Sequence, residues 1–128
     1  MNINTHPAIN QSLCGEPTDL GDGTATVELE TTADMAADHR GLVHGGFVFG
    51  AADYAAMLAV NDPNVVLGAA DCRFTAPVEV GSVVEIHAEE VEHKGKKRVV
   101  EVRATVDGKE VLTGTLTTFV LDSHVLDS

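Results

Sequence analysis

Hydrophobic and polar residues alternate along most of this chain, and the alternation breaks in one place. From Thr24 to Thr31, Ala25, Val27 and Leu29 fall on one side while Thr24, Thr26, Glu28 and Glu30 fall on the other. That period of two predicts a half-buried strand. The same period returns from Ser82 to His93, with Val84, Ile86 and Ala88 together, and from Lys97 to Val106, with Val100, Val102, Ala104 and Val106 together. It returns once more from Lys109 to Leu121, where Leu112, Gly114, Leu116, Thr118 and Val120 share a face. Lys94-Gly95-Lys96 and Asp107-Gly108 join these strands as hairpin turns, the Asp-Gly pair being the strongest such signal in the chain. Val65 to Ala76 is a longer strand-like run, and Pro77 marks a boundary or an edge position.

The break is the run from Phe47 to Val60, apolar throughout except for Asp53. A helix apolar on every side is a buried helix. At about 14 residues it is shorter than the roughly 20 that a membrane span needs. Asn61-Asp62-Pro63-Asn64 stops it. The predicted order is therefore strand, connector (residues 32–41, with a helical turn near Met35), central helix, then four strands. One helix beside a meander predicts an α+β fold with an antiparallel sheet on one side of the helix. Residues 1–19 show no period and contain Pro7, Gly15 and Pro17, which predicts an extended or loosely packed arm. Asp122 to Ser128 reads as a frayed tail, and residues 1–128 as a single domain.

Charge narrows the partners. A formal net charge of −12 argues against nucleic acid, which needs a basic surface. No cationic, apolar leader and no spanning helix are present, so neither secretion nor a membrane is expected. Cys14 and Cys72 make no disulfide framework and no ligand cluster; they read as free thiols of a cytoplasmic protein. The six histidines show no metal-ligand spacing.

The chemistry is expected around the central helix. Burying a carboxylate costs several kcal/mol unless it is paired, hydrogen-bonded or protonated. No Lys or Arg within the helix lies three or four residues from Asp53 to pair with it. An expensive residue of this kind is either functional or bound to a buried hydroxyl or amide. Ahead of the helix stand Gly45 and Gly46, which leave room for a ligand oxygen to reach the unpaired amides of a helix N-terminus. That arrangement suits a carbonyl that gains negative charge. Gly45 and Asp53 are eight residues apart, or roughly 12 Å along a helix. If both act on one substrate, they come from different subunits.

His44-Gly45-Gly46-Phe47-Val48-Phe49-Gly50-Ala51-Ala52-Asp53 resembles the signature of hotdog-fold acyl-CoA thioesterases, in particular the phenylacetate-degradation type, and the resemblance runs from about residue 20 to about residue 121. It implies an antiparallel sheet wrapped around one long central helix, working as a homodimer or a dimer of dimers with sites between subunits. It implies that the Gly45 and Gly46 amides polarise a thioester carbonyl while Asp53 of the neighbouring subunit attacks it or activates a water. It implies no cofactor, coenzyme A being part of the substrate. His44 stands at the mouth of the site in the family motif; capping its own turn is the alternative reading of that residue.

Arg73 and the cluster Lys94, Lys96, Lys97 and Arg98 are the positive density of an acidic chain, and Arg73, Lys96, Lys97 and Arg98 are expected to hold the coenzyme A phosphates. Phe47, Phe49, Tyr54, Met57 and Phe74 are candidates to line an apolar acyl pocket, though core packing explains them equally well. Two positions depart from the family pattern. Met57 stands where many relatives have a hydroxyl residue, and Asp38-His39-Arg40-Gly41 lacks the Asn or Gln often found before the His-Gly-Gly triplet. Enoyl-CoA hydration is set aside because its Asp-x-Asn-Pro-x-His arrangement is missing. A hotdog protein that binds acyl-CoA without turnover is the rival reading.

Overall fold

The computed structural model describes residues 1–127. Its strands are β1 (Glu16–Gly21), β2 (Thr24–Glu30), β3 (Val65–Phe74), β4 (Val83–Lys94), β5 (Lys97–Val106) and β6 (Lys109–Val120). They form one sheet in the order β1-β2-β4-β5-β6-β3, and every neighbouring pair is antiparallel. The long helix α2 (Gly45–Val60) lies mainly against β2, β4 and β5, and a one-turn helix α1 (Gln11–Cys14) packs on α2.

The predicted inner faces are the ones buried. Ala25, Val27 and Leu29 of β2, Val84, Ile86 and Ala88 of β4, and Val100, Val102 and Ala104 of β5 are at most 3% exposed. Against them α2 presents Ala51, Ala52, Ala55, Ala56, Leu58 and Ala59, all buried. The alanines let the helix backbone sit close to the sheet, and the large side chains Leu29, Leu58, Ile86, Leu112 and Leu116 fill the remaining space. Each of those large side chains contributes about 1.5–3 kcal/mol by leaving water. Asn61 ends the helix in the left-handed conformation, its N–H donating to the Met57 carbonyl at 2.7 Å.

Four expectations need correction. The arm of residues 1–19 is not loose: it contains α1, and it ends in β1, an edge strand paired with β2. Gly45 and Gly46 are not ahead of the helix but are its first two residues, with His44 at the N-cap. The tail is not wholly frayed, because residues 125–127 form a 3-10 turn, while Ser128 lies outside the described residues. Strand β3 stops at Phe74, two residues short of the predicted end, and forms the other edge of the sheet. Its Gly68-Ala69-Ala70-Asp71 segment is exposed.

Candidate active site

The N-terminus of α2 is held in place by backbone bonds from three directions. Ala37 N–H donates to the Leu42 carbonyl (2.7 Å), Val43 N–H to that of Val78 (2.8 Å) and His44 N–H to that of Met35 (2.9 Å). The loop that departs from the family pattern braces itself, since one Asp38 carboxylate oxygen accepts from the amides of Arg40 (2.9 Å) and Leu42 (3.1 Å). His44 occupies the N-cap with extended backbone angles; its carbonyl accepts from Phe47 N–H (3.1 Å), while its side chain makes no cap hydrogen bond.

Each glycine of the triplet makes room for an aromatic ring. A Cβ at Gly46 would lie 3.0 Å from His44 Nε2, because the imidazole folds back over the first helical turn. The same ring meets Phe47 edge-on, with centroids 6.1 Å apart. A Cβ at Gly45 would lie 3.2 Å from Phe74 Cε1. The Gly45 and Gly46 amides have no carbonyl of their own helix to bond, and they sit at its positive end. Beside them opens an apolar cavity of about 250 Å³ lined by Val43, Gly45, Val48, Phe74, Pro77 and Val111. Phe74 is 57% exposed at its rim, and Phe47 is half-buried. His44, Gly45, Gly46, Phe47 and Phe74 therefore do come together.

Asp53 lies two turns along the same helix, roughly 12 Å away by rise. Its Oδ1 is buried without a hydrogen-bond partner. Burial pushes its carboxyl above the ordinary carboxylate value, and the charge of His6 pulls it partly back. No ion pair among the described residues reaches it. Cys14 lies close enough that the Asp53 charge, after burial, helps to push its thiol up. One continuous helix thus carries both the amides and the acid, and a single chain does not bring them together.

The remaining candidates are dispersed. Met57 is 1% exposed, so its thioether faces the core and the expectation that it lines a ligand pocket is corrected. Phe49 is half-buried and Tyr54 is buried under the arm. Arg73 opens onto a groove of the outer sheet face with Asp71, His87, Glu89, Glu101 and Arg103, where charges of both signs mix. The β4–β5 turn sits where Val120 N–H donates to the Lys96 carbonyl and Leu121 N–H to that of Asn64, beside the C-terminal end of α2. In one chain Lys96, Lys97 and Arg98 are therefore at the opposite pole from Gly45. Each is also engaged: Lys96 with Asp122 (2.9 Å), Lys97 with Glu92 (3.8 Å) and Arg98 with Glu90 (3.2 Å). Among the described residues no cluster of His, Cys, Asp or Glu could hold a metal ion, and no helix is long and apolar enough to cross a membrane.

Two residues at the site escaped the sequence reading. Asn61 read only as a helix stop, yet its side chain clamps the arm, accepting from Asn4 N–H (2.8 Å) and donating to the Asn2 carbonyl (2.7 Å). His6, in a segment without period, rests its ring on Tyr54 of α2, with centroids 6.3 Å apart. Both contacts span more than 45 residues, which no local pattern signals.

A six-stranded antiparallel sheet around one long helix defines the hotdog fold. The chain belongs to the acyl-CoA thioesterase N-terminal domain family, which it matches over residues 32–119. Its solved relatives include an uncharacterized protein, PH1136, from Pyrococcus horikoshii, 50% identical with a TM-score of 0.98, covering 99% of this chain and 98% of that one. They also include a single-residue mutant of the phenylacetic acid degradation protein PaaI from Thermus thermophilus, 32% identical with a TM-score of 0.80, covering 87% and 96%. Among curated sequences it is 49% identical over 123 residues to a methylthioribose-1-phosphate isomerase from Aquifex aeolicus (strain VF5). It is 28% identical over 119 residues to the transcription factor FapR of Caldanaerobacter subterraneus subsp. tengcongensis. The chain is matched over 95% and 92% of its own length but spans only 27% and 60% of these two proteins.

Proposed function

We propose that the protein hydrolyses an acyl-CoA thioester to a free acid and coenzyme A at a site shared by two subunits of a homodimer, or of a dimer of dimers. The observation that carries this reading is the buried, unpartnered oxygen of Asp53 on the helix whose first turn offers the Gly45 and Gly46 amides. Asp53 takes a proton from water, and the hydroxide attacks the thioester carbon. The oxyanion is met by the partner subunit's Gly45 and the partner subunit's Gly46 through their amides. Collapse breaks the C–S bond, and the thiolate leaves and takes up a proton. Direct attack by the carboxylate, through an anhydride that water then opens, is the other route open to the same residue. A raised carboxyl pKa favours the base, because a proton acceptor works best with a pKa near the operating pH.

His44, folded over Gly46, is assigned to the mouth of the site, and the apolar cavity beside Gly45 to the acyl group, with Phe47 and Phe74 at its edge. No cofactor takes part. Coenzyme A phosphates meet Lys96, Lys97 or Arg98 only across the subunit boundary, and only by displacing the acids now paired with them. The two free thiols fit the reducing cytoplasm.

Two observations favour a second reading. The transcription factor FapR matches this chain along most of its length, and Met57 supplies no hydroxyl to orient water, both of which fit binding without turnover. Free-thiol release from a panel of acyl-CoAs separates the two. Wild type is expected to turn over at least one member, and Asp53→Asn to lose at least about a hundredfold in kcat while still binding. Binding without release by the wild type would put the second reading first. An Asp53→Asn enzyme as active as wild type would remove the carboxylate from the mechanism.

A further inference from the structure

We propose that the outer face of the sheet, on the side away from α2, is a self-association surface on which a second copy of the chain docks, each copy setting a cationic row against an acidic one.

Strand register builds both rows. His87 of β4 lies opposite Arg103 of β5, Arg103 opposite Thr113 of β6, and Thr113 opposite Arg73 of β3. Two residues along each strand, Glu89 lies opposite Glu101, Glu101 opposite Thr115, and Thr115 opposite Asp71. Residues directly opposite in a ladder share a face, and a step of two keeps that face. The two rows border one groove of about 520 Å³. All six charged or imidazole-bearing residues in them are exposed. Their groups are largely uncommitted. No ion pair among the described residues engages Arg73, Asp71, Glu89 or Glu101. Arg103 meets Glu110 through Nε at 3.3 Å, which uses one of its five N–H donors. His87 Nδ1 lies 3.2 Å from the Thr26 hydroxyl, which leaves Nε2 available.

The pattern selects the occupant. Acids flank the cationic row on both sides, Glu89 and Glu101 on one and Glu28 and Glu85 on the other, so an anionic partner is repelled. A second copy matches the rows to themselves. A two-fold axis running along the groove lays each strand antiparallel across its own counterpart, and unlike rows meet. Arg103 then faces the partner subunit's Glu101, Arg73 faces the partner subunit's Asp71, and His87 faces the partner subunit's Glu89. An axis along the strands would set like rows together, so charge fixes one register. Stacked sheets are rotated by about 30°, which spreads the pairs at the edge strands most. Strand β5 lies between β4 and β6, and Arg103 with the partner subunit's Glu101 is therefore the principal pair. The groove is on the opposite side of the sheet from α2, so this contact supplies the second interface of a dimer of dimers. The tetramer rests on the two-subunit reading of the site; the contact itself does not.

Sedimentation equilibrium of the full chain reads it. Wild type is expected at four times the 13.4 kDa chain mass at low salt, and at half that assembly mass at about 0.5 M salt, which screens exposed pairs. Arg103→Glu and Glu101→Arg should each halve the assembly mass at low salt, weakening association at least about tenfold. The double variant Arg103→Glu/Glu101→Arg should restore it, because the two charges exchange places across the contact. Glu110→Gln removes the pair within one chain and should leave the mass unchanged. Circular dichroism shows that each variant is folded. A folded Arg103→Glu that keeps the wild-type mass overturns the proposal, and so does a double variant as dissociated as the single ones. Thioester cleavage is a separate readout. Loss of this contact leaves the two-subunit site standing, and a protein that cleaves no thioester but shows the charge-swap rescue upholds the contact and sinks the hydrolytic reading instead.

Discussion

Asp53 has a consequence for stability as well as for chemistry. Its carboxyl is raised from 3.8 by burial, so the folded chain holds that proton more tightly than the unfolded chain does. The stabilisation this brings is complete below about pH 3.8 and is lost as pH rises through the raised folded value. Above that raised value the carboxylate, its Oδ1 without a donor, opposes folding. Asp53→Asn should therefore melt at a higher temperature than wild type at pH 7, with the gap closing as the pH falls toward 4. Calorimetry across that range checks it, and a mutant no more stable at pH 7 would show that the carboxylate finds a donor in solution. This residue was legible in the sequence because it is the lone charge in an apolar run. His6 was not, because its meaning depends on a contact with a helix that begins almost forty residues later.

At the scale of elements, strands whose one face is buried declared themselves by alternation, and β2, β4, β5 and β6 were legible for that reason. Strand β1 was not: Glu16-Pro17-Thr18-Asp19-Leu20-Gly21 is an edge strand with no buried residue, and its register with β2 shifts between Pro17 and Asp19. An element with no buried face leaves no period to read. Helix α2 was legible by its uniform apolarity, but its start was misplaced by two residues because glycine is a poor helix former. Those glycines are there for the Phe74 and His44 rings. A third glycine governs the pairing of two strands. A Cβ at Gly114 of β6 would lie 2.5 Å from Cys72 Sγ and 2.8 Å from the Asp71 carbonyl of β3, and backbone cannot swing aside. Gly114→Ala should destabilise the fold by about 1–3 kcal/mol, the usual range for overpacking. Urea unfolding measures it; an unchanged midpoint would mean that β3 is less tightly seated on β6 than its register implies.

For the whole molecule, the decisive geometry is that the amides of Gly45 and Gly46 and the carboxylate of Asp53 ride on one helix and stay roughly 12 Å apart. Under the proposed mechanism one chain is an incomplete site, and two features suit a second copy. Strand β3 leaves a ten-residue edge with Gly68 to Asp71 exposed, and nothing lies within 4 Å of a Cβ added at Gly50, one turn before Asp53 on the helix. Gly50→Ala separates the lone chain from the assembly. In an isolated chain the methyl enters open space and should stabilise the helix by about 0.8–1 kcal/mol. Where a partner helix lies over Gly50, the same methyl meets it, so assembly and turnover fall together. Sedimentation equilibrium of the wild type should give two or four times the chain mass of 13.4 kDa, and its melting temperature should rise with protein concentration. Gly50→Ala should dissociate at higher concentration than wild type and lose activity in proportion. A wild type that turned over as a monomer, with Gly50→Ala simply more stable, would break the two-subunit site, because no motion of a rigid helix brings its first turn to its third.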